Sequence, residues 1–336
     1  TIINRMIMKY QPSAERYDKM QYKYCGNSGL LLPRISLGLW HNFGSVDDFG
    51  VATDMIKYAF DNGVTHFDLA NNYGPSYGSA EETFGQIMKS SFAPYRDELF
   101  ISTKAGHDMW PGPYGNWGSR KHLMASLDQS LKRMNLDYVD VFYSHRYDPE
   151  TPLEETLQAL VDIVRKGKAL YVGLSKYPLD AYLFASRYLK ERDVPCLLYQ
   201  GRYSMLVREP ESQGILNAVK ENGSGFVAFS PLAQGLLTNR YLNGIPDNSR
   251  IARGGFLKKE ALTPEVLSKI QALNERAAMR GQSLAEMALA WLLKNETVTS
   301  VIVGASSVEQ LGDSLKTLNH LSFEEEELHA IEKILM

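Results

Sequence analysis

The feature that most constrains this fold is a regular alternation of short apolar runs with longer amphipathic segments. Eight runs are rich in β-branched and aromatic residues, as strands are: 35–39, 66–70, 99–106, 138–146, 169–175, 196–200, 225–231 and 299–306. Helical patterns separate them at 46–62, 79–90, 119–135, 152–166, 179–192, 211–222, 264–280 with 283–294, and 307–319. Apolar strands that alternate with helices pair in parallel and are covered on both faces.

Eight such units within roughly 270 residues predict an α/β fold, the closed (β/α)8 TIM barrel. The alternative is a doubly wound open sheet, which should carry GxGxxG after its first strand if it binds a dinucleotide. Here WHNFGSVDD follows ISLGL instead. We expect residues 1–20 to form an N-terminal extension and residues 21–336 a single domain. A hairpin over 21–34 would cap the barrel floor, and an extra helix from Glu324 onwards would pack outside.

The composition is that of an ordinary globular protein without a general attraction to polyanions. The chain has 336 residues, of which 44% are apolar and 22% charged, and its net charge is −3. We therefore expect no nucleic-acid or membrane partner. Cys25 and Cys196 lie in apolar runs, which suits free thiols in a reducing compartment, the cytoplasm. No stretch approaches the apolar length of a membrane span, and Asn4 and Arg5 interrupt the first apolar run, unlike a signal peptide.

Four polar side chains near the ends of successive runs indicate chemistry. Asp68, Lys104 and His145 lie at the ends of the second, third and fourth runs, and Tyr73 follows in the NNYG loop. An unpaired buried ammonium is costly, and Asp68 would be the partner of Lys104. A cation beside Tyr73 would lower the pKa of the phenol and make it a proton donor near neutral pH. Each residue alone could be an ordinary satisfied polar group, but four at one barrel mouth favour catalysis.

The motifs resemble those of the aldo-keto reductases, from about residue 21 to about residue 330. The matching segments are LGLWHNFG (37–44), HFDLANNYG (66–74), ISTKAG (101–106), YSHR (143–146), VGLSKY (172–177), FSPLAQGLLT (229–238) and VIVGASSVEQL (301–311). They are most similar to the branch that includes potassium-channel β subunits and bacterial L-glyceraldehyde 3-phosphate reductases. The resemblance implies a catalytic tetrad of Asp68, Tyr73, Lys104 and His145. A reduced nicotinamide would give hydride to a carbonyl carbon, Tyr73 would protonate the oxygen, and His145 would align it.

The resemblance also implies an NADPH site, formed mainly by residues that follow the later runs. Its positions are Trp40, Asp68, Ser175, Gln200, Phe229, Ser230, Pro231, Leu232, Gly235, Arg240, Arg250, Gly304, Ser306, Gln310 and Ser314. Ser175 and Gln200 match positions that bind the nicotinamide carboxamide, and Phe229 matches the aromatic that stacks on the ring. The segment after the eighth run opens a helix and would hold the 2′-phosphate, which favours NADP(H) over NAD(H).

The expected substrate is a small aldehyde, because members of this branch reduce glyceraldehyde 3-phosphate and methylglyoxal. Trp40, Tyr73, Trp110 and His145 would contact it, with further loop residues at the pocket edge: His107, Met109 and Trp117. A phosphate on the substrate would need a cation near the mouth. Arg146 and Lys176 are candidates, and either could equally be a surface residue. The resemblance also implies a homo-oligomer, a tetramer or larger.

Two other functions stay open. A Schiff-base aldolase on the same barrel would use Lys104 as the nucleophile, although pairing with Asp68 would keep that amine protonated. A redox-sensing NADPH-binding module of a membrane protein, like the channel β subunits, could keep the same four residues. His145 weighs against the module, because channel-type subunits carry Asn there.

Overall fold

Eight parallel strands form the centre of the fold in a computed structural model that describes residues 9–247 and 259–336. The strands, in chain order, are β1 (Tyr22–Tyr24), β2 (Leu31–Pro33), β3 (Ile35–Gly38), β4 (His66–Asp68), β5 (Phe100–Ala105), β6 (Val139–Ser144), β7 (Ala169–Ser175), β8 (Cys196–Arg202), β9 (Gly225–Phe229) and β10 (Val298–Val303). Strands β3 to β10 pair with their neighbours in sequence order, and β10 pairs with β3. The sheet is therefore a closed barrel rather than an open sheet, as predicted.

Helices follow most of the barrel strands. They are α1 (Phe49–Asp61), α2 (Ser79–Ile87), α3 (Arg120–Met134), α4 (Leu153–Arg165), α5 (Leu179–Lys190), α6 (Glu209–Ser212), α7 (Ile215–Glu221), α8 (Pro264–Met279), α9 (Leu284–Leu293), α10 (Val308–Leu315) and α11 (Glu325–Leu335). Shorter helical turns are Met88–Phe92, Ala93–Glu98, Ala233–Gly235, Asn239–Tyr241, Lys259–Ala261 and Lys316–Asn319. None of the helices in the described ranges is long and apolar enough to cross a membrane.

All eight predicted strands are present at the predicted places, and two helix predictions need correction. The segment 211–222 is two short helices, α6 and α7, because Gly214 between them has a φ of 76°. That left-handed conformation is easy for glycine and incompatible with a continuous α-helix. The segment predicted as helix 79–90 leaves α-helical geometry after Ile87 and continues as a π turn.

The hairpin of β1 and β2 lies at the barrel end where the strands begin. Its two strands are antiparallel, and the Asn27 backbone N–H donates to the Gly223 carbonyl, just before β9 starts. Leu32 is fully buried with side chains of the barrel interior. The C-terminal helix α11 packs against α8, and Glu324 caps its first turn. Both extra elements are present as predicted, and the opposite end of the barrel is left for the strand C-termini.

Candidate active site

The barrel places the four predicted catalytic residues at one mouth. Asp68 ends β4, Lys104 is the second-last residue of β5, and His145 directly follows β6. Tyr73 lies in the loop after β4. The Lys104 Nζ is 5.2 Å from the centre of the Tyr73 ring, and the ring centres of Tyr73 and His145 are 6.3 Å apart. The structure therefore brings all four side chains together.

Asp68 and Lys104 form a buried ion pair, as predicted. The Lys104 Nζ lies 2.8 Å from Asp68 Oδ1, 2.7 Å from Asp68 Oδ2 and 2.8 Å from the Leu69 carbonyl. The exposed fractions of the two side chains are 1% for lysine and 2% for aspartate. Burial lowers the pKa of Lys104, and the Asp68 carboxylate opposes that shift. The three ammonium protons are thus all directed at Asp68 and Leu69.

The prediction that the pKa of Tyr73 lies below 10 is wrong for this structure. Desolvation raises the pKa of Tyr73 well above 10, and the Asp68 charge raises it further. The Lys104 protons are used by Asp68 and Leu69, so the ammonium lies over the tyrosine ring rather than donating to its hydroxyl. The phenol consequently holds its proton at neutral pH.

His145 is a neutral imidazole in this site. It is 7% exposed, and burial together with the charges of Lys104 and Lys176 places its pKa well below 6.5. Its Nδ1 is buried and has no hydrogen-bond partner within the described residues. The ring centre of His107 is 4.4 Å away, at a steep angle. One ring nitrogen carries a proton, so the imidazole can donate a hydrogen bond to a ligand oxygen.

A hydrogen-bonded chain inside the barrel supports Asp68 and was not found from the sequence. His66 Nδ1 lies 2.8 Å from Ser36 Oγ, and His66 Nε2 lies 2.9 Å from Ser102 Oγ. The Ser102 hydroxyl also lies 2.8 Å from Asp68 Oδ1, where it can donate. His66 and Ser102 sit two residues before Asp68 and Lys104, on the same faces of β4 and β5. This two-residue spacing is the sequence signal from which the hydrogen-bonded chain could have been predicted. Burial lowers the pKa of His66 to about 4.

Two adjoining cavities open over these residues. The larger has a volume of about 690 Å³ and is lined by Trp40, His41, Asn72, Tyr73, Gly74, Pro75, Ser76, Tyr77, His107, His145, Ser175, Lys176, Gln200 and Phe229. The smaller, about 210 Å³, is lined by Gly38, Trp40, His41, Asn42, Asp68, Tyr73, Phe229, Ser230, Pro231, Leu232, Gln234, Gly235, Thr238, Asn239, Arg240, Ile302, Val303, Gly304 and Gln310. The larger volume is typical of small-molecule sites.

Most of the residues that the resemblance assigns to cofactor binding line these cavities. Gln200 is also tied to the catalytic group, since its Nε2 donates to Asp68 Oδ1 over 3.2 Å. Ser306 is adjacent to the smaller cavity and donates from its backbone N–H and its hydroxyl to Gln310 Oε1. Ser314 is buried on α10 and lines neither cavity. Arg250 lies outside the described residues.

The loop after β5 contributes less to the cavities than predicted. Of its four named residues, His107 alone lines a cavity, whereas Met109, Trp110 and Trp117 do not. The Trp110 ring packs on His122, with ring centres 4.9 Å apart. Its place as a substrate-contacting residue is therefore not supported by this geometry.

Arg146 and Lys176, the two candidate phosphate ligands, are placed differently. The Arg146 guanidinium lies 3.6 Å from the centre of the Trp117 ring and donates to the Gly106 carbonyl and to Asn116 Oδ1. Lys176 lines the larger cavity, and its Nζ is 3.0 Å from His107 Nε2. Arg146 thus holds the loop, and Lys176 faces the cavity.

Comparison with known sequences identifies the family. The sequence model described as "Aldo/keto reductase family" matches residues 34–336. The chain belongs to the aldo/keto reductase family. L-glyceraldehyde 3-phosphate reductase of Escherichia coli O157:H7 is 56% identical over 331 residues, which cover 97% of this chain and 95% of that protein. The protein of the same name from strain K12 is 55% identical over 331 residues, which again cover 97% of this chain and 95% of that protein. A probable voltage-gated potassium channel subunit beta of Arabidopsis thaliana is 37% identical over 306 residues, 89% of this chain and 92% of the relative.

The aldo/keto reductase membership confirms the resemblance read from the motifs. The matched range begins at Arg34, directly before β3, so it covers the complete barrel and leaves out the hairpin. The cavity residues that sequence reasoning missed are Gly38, His41, Asn42, Asn72, Gly74, Pro75, Ser76, Tyr77, Gln234, Thr238, Asn239, Ile302 and Val303. Most of them lie in loops, where neither strand periodicity nor charge signals a role. Within the described ranges, no cluster of three His, Cys, Asp or Glu side chains could hold a metal ion.

Proposed function

We propose that this aldo/keto reductase is an NADPH-dependent reductase of short aldehydes. The observation that carries the proposal is a protonated phenol and a neutral imidazole at one cavity, beside a buried Lys–Asp pair. The names of the two Escherichia coli relatives support a short aldehyde, glyceraldehyde 3-phosphate, as the substrate.

The residues that line the smaller cavity suit a nicotinamide dinucleotide. It runs from Phe229, next to Asp68 and Tyr73, along the loop after β9 to Arg240 and Gln310. Along this loop Ser230, Ala233 and Gln234 have φ between 49° and 56°, a left-handed backbone that non-glycine residues adopt mainly at functional sites. The Gln234 Oε1 is buried and has no partner in the described part of the chain. The lining supplies an aromatic face for the ring of the cofactor and an unpartnered amide for its polar substituents. It also supplies a guanidinium for the phosphates.

NADPH is proposed over NADH from the end of the cavity at α10. Gln310 lies in the first turn of that helix, whose N-terminal N–H groups attract anions. Gln310 Oε1 accepts from Ser306, which leaves the amide NH2 to donate to a phosphate. Arg240 lines the same cavity. These groups would hold the 2′-phosphate and pyrophosphate.

When bound, the reduced nicotinamide supplies a hydride to the carbonyl carbon. His145 donates its N–H to the carbonyl oxygen and aligns the substrate, which also stabilises negative charge on that oxygen. Tyr73 then transfers its proton to the developing alkoxide. The raised pKa keeps this proton on the phenol until a stronger base forms. Lys104 stabilises the phenolate that remains, since its ammonium lies 5.2 Å from the ring centre.

The test is NADPH oxidation with a panel of short aldehydes by the wild type, Tyr73→Phe and a matched control. Tyr77→Phe is the control, because Tyr77 lines the same cavity and is 56% exposed. General acid catalysis typically contributes about 10²–10⁴-fold, so we expect Tyr73→Phe to lose that factor in kcat while its NADPH affinity is preserved. Retention of more than half of the wild-type kcat by Tyr73→Phe would show that another group is the acid.

A further inference from the structure

Lys176 occupies an unusual position at the rim of the larger cavity. It directly follows β7 and has a φ of 58°, a left-handed conformation that is uncommon for a long side chain. Its backbone N–H donates to the Gln200 carbonyl. The side chain is exposed at the rim, and its Nζ is 3.0 Å from His107 Nε2. The turn thus presents an ammonium to water and to the cavity together.

No carboxylate among the described residues forms an ion pair with the Lys176 ammonium. The residues that line the larger cavity include one ammonium and no carboxylate. Asp68 at the adjoining cavity is already paired with Lys104. Burial, with the charges of Lys176 and Arg146, lowers the pKa of His107 to about 4, so its neutral ring accepts from Lys176. Two ammonium protons are left to donate.

His107 contacts both the Lys176 ammonium and the His145 ring. The imidazole of His107 has one nitrogen at 3.0 Å from the Lys176 ammonium, and its centre is 4.4 Å from the His145 ring. Lys176 and His145 line the same cavity. The lining therefore offers a short aldehyde one group for its carbonyl oxygen and one cation for a charged substituent.

We propose that Lys176 is the specificity determinant of this site, where it binds the phosphate of a short phosphorylated aldehyde whose carbonyl lies at Tyr73 and His145. The proposal rests on the reductase function proposed above. A lysine is a suitable point charge for a phosphate monoester. Partial desolvation at the cavity rim and the charges of Lys104 and Arg146 lower the pKa of Lys176 to about 8, and the ammonium form still predominates at pH 7. Arg146 lines neither cavity, and its guanidinium stacks on Trp117 and donates to Gly106 and Asn116.

The test compares L-glyceraldehyde 3-phosphate with L-glyceraldehyde as substrates of the wild type, Lys176→Met and Lys176→Arg. The measured quantity is the ratio of the two kcat/KM values, with NADPH saturating. A hydrogen bond between charged groups is lost in Lys176→Met, and we expect the ratio to fall by about 10- to 100-fold, mainly through KM of the phosphorylated substrate. Lys176→Arg keeps the charge and should recover most of the ratio. Lys166→Met is the control, since Lys166 is exposed at the C-terminal end of α4, before β7 begins, at the opposite end of the barrel.

An unchanged ratio in Lys176→Met would overturn the proposal, and so would an equal loss with both aldehydes. A weaker binding of NADPH that accounts for the loss would likewise overturn it, because the ammonium would then belong to the cofactor site. These results differ from a failure of the reductase function itself. In that case neither the wild type nor the Lys176 variants would reduce either aldehyde.

Discussion

Removal of Asp68 should destabilise this protein far more than removal of a surface carboxylate with the same ion-pair distance. Asp68→Asn keeps the shape of the side chain and removes its charge, which leaves the Lys104 ammonium buried without a counter-charge. Glu332→Gln is the matched control. Glu332 is also 2.7 Å from a cationic nitrogen, that of Arg208, but its side chain is 49% exposed.

The magnitude follows from distance and burial. At 2.7 Å, two unit charges attract by about 6 kcal/mol with an effective dielectric constant of about 20. Desolvation of both ions offsets much of this attraction, so the intact pair adds little net stability. Loss of one partner leaves the other uncompensated and typically costs about 3–5 kcal/mol. The exposed Glu332 pair should contribute less than about 1 kcal/mol.

Urea denaturation gives the free energy of unfolding for the wild type and for the single variants Asp68→Asn, Lys104→Met and Glu332→Gln. The double variant Asp68→Asn/Lys104→Met is measured in the same way. The double variant removes both charges and should recover about 1–3 kcal/mol relative to the sum of Asp68→Asn and Lys104→Met. Asp68→Asn and Lys104→Met should also lose reductase activity, and Glu332→Gln should keep it. If Asp68→Asn costs no more than Glu332→Gln, the pair is hydrated in solution and the reasoning about its burial is refuted.

Two further predictions concern cofactor choice and acid stability. The resemblance assigns Arg250 to the cofactor site, and we propose that it binds the 2′-phosphate. Arg250→Ala should then weaken NADPH binding by about tenfold or more while NADH binding changes little, since a charge-assisted bond to this phosphate contributes roughly 1.5–3 kcal/mol. Fluorescence titration measures both affinities with Arg253→Ala as the control, and an equal weakening of both would show that Arg250 does not bind the 2′-phosphate. His66 has a pKa of about 4 in the folded state and about 6.5 in the unfolded state. The unfolded chain therefore binds a proton that the folded chain does not, and stability should fall as the pH decreases from about 6.5 to about 4, by up to about 3 kcal/mol from this residue. His66→Gln should reduce this loss of stability at acidic pH. His329→Gln, on the exposed side of α11, should leave the loss unchanged. Identical pH profiles of stability for His66→Gln and the wild type would show that His66 does not cause the loss.

The sequence was sufficient to predict the barrel and the place of the tetrad because both follow from one periodicity. Apolar runs alternating with helices determine the parallel sheet, and the ends of its strands must meet at one mouth. Asp68 and Lys104 could be paired for a simple reason: a lysine on a buried strand needs a neighbouring carboxylate. The pair is present at 2.7 Å.

The pKa of Tyr73 could not be predicted in the same way, because it depends on where the lysine protons point. A nearby cation lowers a phenol pKa only if its effect exceeds the cost of desolvation. Here all three Lys104 protons are directed at Asp68 and Leu69, and desolvation is larger. Loop residues posed a related difficulty. From the sequence, Lys176, Arg146 and Trp110 are equally good candidates for contact with the substrate. Only contacts between loops show that Lys176 lines the larger cavity, whereas Arg146 and Trp110 do not.

The geometry of Lys104 also bears on the competing functions. A Schiff-base lysine must lose a proton and present its lone pair to a carbonyl, but this ammonium is surrounded by two carboxylate oxygens and a backbone carbonyl. An electrophile would have to displace Leu69 and Asp68 to reach the nitrogen. Tyr73 and His145, by contrast, both line the larger cavity with groups that can donate a proton. The same cavity therefore favours reduction, in which Lys104 acts through its charge and forms no bond to substrate, over an aldolase in which it is the nucleophile.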